Sequence, residues 1–173
     1  TLSHLETGDT GLDPREVNIH QLVEAVLDGL REMADKKKVQ LKNSVPENLT
    51  LHADSQRLFQ ALNNLVENGI KYGGQRVCVS ASQADGELDL CVADDGPGIP
   101  ADVCDRIFER FFRVDKARSR ELGGTGLGLS IVKHITQLHS GTARVESELG
   151  QGARFHLTFP IRNMTTGIQA EAT

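Results

Sequence analysis

Three things are scarce in this chain of 173 residues, and each scarcity removes a class of function. No run approaches the ~20 uninterrupted apolar residues that span a bilayer, and the N-terminus lacks the basic-then-apolar order of a secretory signal. The sequence therefore predicts a soluble piece. Positive charge is outnumbered, with 19 Lys and Arg against 24 Asp and Glu and a formal charge of -5. A broad attraction to nucleic acid or to an anionic membrane is disfavoured, and any anion must be held locally. Cysteine is limited to Cys78, Cys91 and Cys104, without the close pairing of a zinc site or redox motif. These are expected to be reduced core residues in a cytosolic compartment.

At 38% hydrophobic and 25% charged, the composition is that of one domain with one good core. Thr1 to Leu12 is polar and glycine-containing, a linker in composition. Leu22, Val23, Val26, Leu27, Leu30 and Met33 then recur at helical spacing, with Lys36, Lys37 and Lys38 at the helix's negative end. Short strands are expected at Gln40 to Val45 and Leu49 to Ala53, followed by a helix capped by Asp54 or Ser55 and running to about Tyr72. Arg76 to Ser82 and Glu87 to Ala93 alternate as a hairpin. A short helix is predicted from Ala101 to Glu109, then a polar, mobile, arginine-rich segment ending at Gly123 and Gly124. A third long helix, Leu127 to Leu138, precedes strands Thr142 to Glu148 and Ala153 to Phe159. The residues from 163 onward are expected to be a flexible tail. This order does not give an alternating parallel sheet, so the expected fold is a mixed, largely antiparallel sheet covered on one face by about three helices.

Chemistry concentrates in four places. At 100° per residue, Asn64, Asn68 and Lys71 share one face of the second helix, while Leu58, Leu62, Leu65, Val66 and Gly69 occupy the opposite arc. Amide oxygens are hard, neutral ligands that suit Mg²⁺, and an amine one turn on can meet a phosphate, although the stripe is equally the solvated side of an amphipathic helix. Next, an alternating strand ends in Asp94-Asp95-Gly96-Pro97-Gly98-Ile99-Pro100, with carboxylates at the mouth of a tight turn and glycines that admit a planar base. An ordinary acidic loop is the alternative. A calcium loop is disfavoured, because Pro97, Ile99 and Pro100 stand where oxygen ligands would continue.

Between Arg106 and Arg120 basic residues outnumber Glu109 and Asp115, a local excess suited to a triphosphate or simply a solvated charged loop. Finally, Gly123-Gly124-Thr125-Gly126-Leu127-Gly128-Leu129-Ser130 opens the third helix, where backbone N–H groups favour an anion. No Lys follows Gly128, so this is not a Walker A loop, and no hydrophobic strand precedes the glycines as a dinucleotide fingerprint requires.

Taken together, these four segments resemble, in order, the N, G1, F and G2 boxes of the catalytic ATP-binding domain of bacterial two-component sensor histidine kinases. The resemblance implies that Asn68 holds Mg²⁺, with Asn64, Lys71 and Tyr72 lining the nucleotide. Asp94 would read the adenine amino group beside Gly96, Gly98 and Ile99, with Asp95 a flanking residue. Phe108 and Phe111 would anchor the lid, and Arg110 or Arg113 would meet phosphate. Gly124, Thr125, Gly126, Leu127 and Gly128 would accommodate the phosphates. The implied cofactors are ATP and Mg²⁺, and the implied fold is an α/β sandwich with a mobile ATP lid.

By the same resemblance, residues 1–12 end a dimerisation helix and linker, 13–162 form the catalytic domain, and 163–173 are tail. Related ATPases place a glutamate where Asn64 stands; an amide is no useful base at neutral pH, which favours a kinase over a hydrolase. A phosphoacceptor histidine is expected elsewhere, because His4 is followed by Leu5-Glu6-Thr7-Gly8 and the other five histidines read as structural or surface residues. The implied partners are a dimerisation domain carrying that histidine, in a homodimer, and a response regulator. The implied setting is a cytoplasmic domain of a protein anchored in the bacterial inner membrane. A nucleotide-binding module without kinase activity and an anti-sigma-type serine kinase are the alternatives.

Overall fold

The computed structural model describes residues 11–113 and 127–161. In chain order the elements are β1 (Arg15–Asn18), α1 (Ile19–Lys37), β2 (Gln40–Asn43), β3 (Thr50–Ala53), α2 (Ser55–Tyr72), β4 (Arg76–Ala84), β5 (Glu87–Asp94), a 3₁₀ turn (Ala101–Val103), α3 (Gly128–Leu138), β6 (Thr142–Ser147) and β7 (Ala153–Pro160). Five strands form one sheet in the order β2-β4-β5-β7-β6, and β1 pairs with β3 in a separate two-stranded sheet. Only the β2–β4 pair of the large sheet is parallel. The mixed sheet with three helices is thus the architecture expected from the sequence. None of the described helices is long and apolar enough to cross a membrane.

Local chemistry explains the helix boundaries. Asn18 caps α1 by accepting the Gln21 N–H at 2.9 Å, and Lys38 closes it in a left-handed conformation, φ 57°. Asp54 caps α2 by accepting the Arg57 N–H at 3.1 Å and also takes the Asp13 N–H at 2.9 Å. Burial pushes the Asp54 carboxyl up, but the Asp13, Arg57 and Gln56 amides together outweigh it and hold it below the usual carboxylate range. The Asp54 N–H in turn donates to His139 Nε2 at 3.1 Å. That acceptance places the ring proton on Nδ1, which donates to the Ile135 carbonyl at 2.8 Å. One histidine at the end of α3 therefore ties α3 to the start of α2.

Helix α2 lies between α1 and α3 and packs on β4 and β5. Its apolar arc, Leu58, Leu62, Leu65, Val66 and Ile70, is buried against Val77, Val79, Leu88, Leu90 and Val92 of the sheet. Each such side chain contributes roughly 1.5–3 kcal/mol by leaving water.

One strand was not foreseen and three expectations are corrected. Residues 15–18, which alternate too briefly to announce a strand, pair with β3, so the turn after β2 joins two different sheets. The predicted helix over 101–109 is a single 3₁₀ turn followed by successive tight turns, because Pro100 offers no side-chain cap and repeated bonds to the third residue back replace the α pattern. Cys78, Cys91 and Cys104 are half-buried rather than core; the last follows the 3₁₀ turn, and the first two lie on strands. Their alternation with Val77, Val79, Leu90 and Val92 puts them on the sheet face away from the helices. Phe111 is no anchor: its backbone turns left-handed, φ 65°, and the ring is 61% exposed, while Phe112 packs on the core instead.

Candidate functional site

The C-terminal half of α2 meets the start of α3 and the end of β5, the central strand of the sheet. Alternation along β5 buries Leu88, Leu90 and Val92 and delivers Asp94, half-buried, to the strand's end. Its Oδ1 accepts the Gly96 N–H at 2.9 Å, and the pairing of Asp94 with Ala153 brings a second backbone amide beside it. Burial pushes the Asp94 carboxyl above the usual range, against the pull of those two amides and with the Asp95 charge adding to the rise. Aimed and partly desolvated, such a carboxylate is suited to accept from an exocyclic amine.

The turn is held close to α2. A Cβ on Gly96 would strike the backbone of Gly73 and Gly74, so only glycine permits this approach. Asp95, expected to be a mere flank, accepts the Gln75 and Arg76 N–H groups through Oδ1 at 2.7 and 2.9 Å. These amides, chiefly that of Arg76, hold its carboxyl below the usual range. Gly98 sits at φ 80°, and a Cβ there would collide with the Glu148 carbonyl. Ile99 is partly buried against the core.

On α2, Asn64 and Asn68 are both half-buried, one turn apart. Asn64 Nδ2 donates to the Gly128 carbonyl at 3.2 Å, linking α2 to the first turn of α3. Lys71 pairs with Glu67 at 3.4 Å, with side chains 22% and 30% exposed. Tyr72 is half-buried at the helix end, as is Leu127 before α3. Phe108 is buried and meets Phe155 edge-on, ring centroids 6.1 Å apart. Arg110 is exposed with its guanidinium over Phe111, whereas the Arg113 Nε is buried without a hydrogen-bond partner among the described residues. A buried, unpaired guanidinium nitrogen is costly and suited to an anion. Gly123, Gly124, Thr125 and Gly126 lie outside the described residues.

A family model described as "Histidine kinase-, DNA gyrase B-, and HSP90-like ATPase" matches residues 53–163. The chain belongs to this ATPase family. Within the family it is 38% identical over 161 residues to the sensor-like histidine kinase SenX3 of Mycolicibacterium smegmatis, covering 92% of this chain and 42% of that protein. It is 40% identical over 158 residues to the adaptive-response sensory kinase SasA of Synechococcus elongatus, covering 89% and 40%. The chain thus spans less than half the length of these curated relatives. Among solved structures it is similar to the catalytic domain of histidine kinase ThkA in a nucleotide-free form, with a TM-score of 0.76, 28% identity and coverage of 87% and 97%. Full-length ShkA, solved in complex with AMPPNP, gives a TM-score of 0.76 and 34% identity, covering 88% of this chain and 32% of that one.

The structure joins Asp94 to Gly96 and Asn64 to Gly128, pairs the sequence had singled out, but the residues that brace them were missed. Asp95 was expected only as a flank, and Gly73, Gly74, Ser147 and Ala153 carry no motif-like chemistry. Only the register that places Ala153 opposite Asp94 brings the last two into the site.

Proposed function

We propose that this chain binds Mg-ATP and donates the γ-phosphoryl group to a histidine carried elsewhere in the longer protein, for onward transfer to an aspartate of a response regulator. The observation that carries the reading is the half-buried Asp94 carboxylate, fixed by the Gly96 amide and set against the C-terminal end of α2 at Gly73. Asp94 accepts from the adenine amino group. Phe108 and Ile99 supply apolar surface beside the base. Asn68 offers an amide oxygen to Mg²⁺, which when bound neutralises phosphate charge. Asn64 keeps the start of α3 in place through Gly128, Lys71 balances charge beside Glu67, and Arg113 or Arg110 reaches toward the phosphates. The donor set fits the group: hard oxygens on α2, a base-reading acid on β5 and a cation with an unfilled hydrogen bond.

In the transfer, the bond between the γ-phosphorus and the β,γ-bridging oxygen breaks, an imidazole nitrogen takes the phosphoryl group, and ADP leaves. Asn64 occupies the position of the water-activating acid of related ATPases and cannot take a proton at neutral pH, which supports transfer to an imidazole over hydrolysis. Positioning and charge neutralisation are then the domain's whole contribution. In this reading the domain is cytoplasmic, and the longer protein is homodimeric and anchored in the bacterial inner membrane.

Calorimetry with a non-hydrolysable ATP analogue, with and without Mg²⁺, tests the site. Asn68→Ala should remove most of the Mg²⁺-dependent part of the affinity, and Asp94→Asn should abolish base recognition. If both variants bind Mg-nucleotide as the parent does, the assignment is wrong.

A further inference from the structure

The Asp94–Pro100 turn is gripped from two sides, and the second grip comes from outside every motif in the sequence. Ser147, the last residue of β6, accepts the Ile99 N–H at 2.7 Å and donates its hydroxyl proton to the Gly152 carbonyl at 2.7 Å. Beside it the Gly150 N–H donates to the Pro97 carbonyl at 2.7 Å. The Gly152 carbonyl and the Ala153 N–H belong to one planar peptide unit, and Ala153 is the residue paired with Asp94 across the β5–β7 ladder. A single hydroxyl therefore fixes the rotation of the peptide that lies opposite Asp94 and, through Ile99, the turn that follows it. Serine suits the position because its hydroxyl donates and accepts at once.

We propose that Ser147 is a positioning residue for base recognition, aiming Asp94 through the Gly152–Ala153 peptide and seating the turn through Ile99. The proposal rests on the reading of Asp94 as the adenine-reading group. Removing the hydroxyl leaves the Ile99 N–H and the Gly152 carbonyl without their partner, so the carboxylate loses its aim. Because adenine presents an amino group where guanine presents an oxygen, a mis-aimed acceptor loses discrimination as well as affinity.

The test measures binding of non-hydrolysable ATP and GTP analogues to the parent, Ser147→Ala, Ser147→Thr and Asp94→Asn, with a thermal melt of each. Ser147→Ala should bind the adenine analogue about tenfold more weakly, the consequence of leaving polar groups unpaired, with a smaller loss for guanine and hence a reduced adenine preference. Ser147→Thr, which keeps the hydroxyl, should restore that preference. A lowered melting temperature in Ser147→Ala with an unchanged adenine-to-guanine ratio assigns the hydroxyl to folding alone and overturns the proposal. Parental adenine binding by Asp94→Asn overturns the reading of Asp94, and the Ser147 assignment falls with it. If Asp94→Asn loses adenine preference and Ser147→Ala keeps it, the proposal alone fails. Should Ser147→Ala not fold, Ser147→Cys, similar in size but a weak donor and acceptor, replaces it in the same comparison.

Discussion

Asp94 pays for its place at the end of β5 with desolvation. Burial is the leading influence on its carboxyl and raises it, while the Gly96 and Ala153 amides offset only part of that rise. An acid whose pKa is raised by folding binds more protons in the folded state, so stability falls as pH climbs from the ordinary carboxylate range through the raised value. At neutral pH the ionised side chain is therefore a net liability to the empty fold, as expected for a group kept for binding. Asp94→Asn should melt higher than the parent at pH 7 without nucleotide while losing adenine recognition. Asp54 and Asp95, held low by backbone donors, have the opposite sign and lose stability as pH falls, but they are common to both proteins. The melting difference between variant and parent should accordingly shrink on acidification. A variant that melts lower than the parent at pH 7 would contradict this account.

At the scale of elements, Gly69 shows what a helix gives up to reach a sheet. Its position in the last turn of α2 costs up to about 1 kcal/mol of helix propensity relative to Ala. A Cβ there would stand 2.8 Å from Val77 Cγ2, a fully buried atom group on β4, so the missing methyl lets α2 sit close against the strand. Overpacking of that kind costs about 1–3 kcal/mol, enough to cancel or exceed the propensity gain. Gly69→Ala should therefore be neutral to destabilising alone. In a Val77→Ala background the same change should stabilise by about 1 kcal/mol, a coupling that denaturant melts of the four proteins would read. Additive effects would mean that Val77 is not the obstacle. The helices themselves were legible because their apolar stripes, the Asp54 cap and the lysines after α1 agree with one another. The edge pieces were not. Val17 is the only apolar residue of β1, nothing local marks that the strands on either side of Pro46 to Asn48 go to separate sheets, and nothing local marks that Phe111 turns out and Phe112 in. Such features are set by tertiary pairing that no short window contains.

For the whole molecule, the sheet order explains both what the sequence disclosed of the site and what it hid. Asn64, Asn68, Lys71, Asp94 and Gly98 each announce their chemistry locally, whereas Ser147 and Ala153 arrive from the other side of the sheet through the β5–β7 register. The same view bears on where a phosphoryl group goes. Among the described histidines, His20 is bonded to the Val45 carbonyl, His139 bridges α2 and α3, and His156 lies between Asp89 and Glu146. His52 and His134 are exposed but sit on β3 and α3, as parts of the scaffold around the site rather than on a separate element that docks into it. A nucleophile for the γ-phosphorus must approach in line with the leaving oxygen, which a rigid scaffold residue cannot do for its own site. With γ-labelled ATP this chain should bind nucleotide yet acquire no stable label. Supplying the histidine-bearing segment of the longer protein should yield acid-labile, base-stable phosphate on that segment, and Asn68→Ala should suppress it. Acid-labile label on the isolated chain would mean that one of its own histidines is the acceptor, and substitution of His52 and His134 in turn would identify which exposed ring carries it.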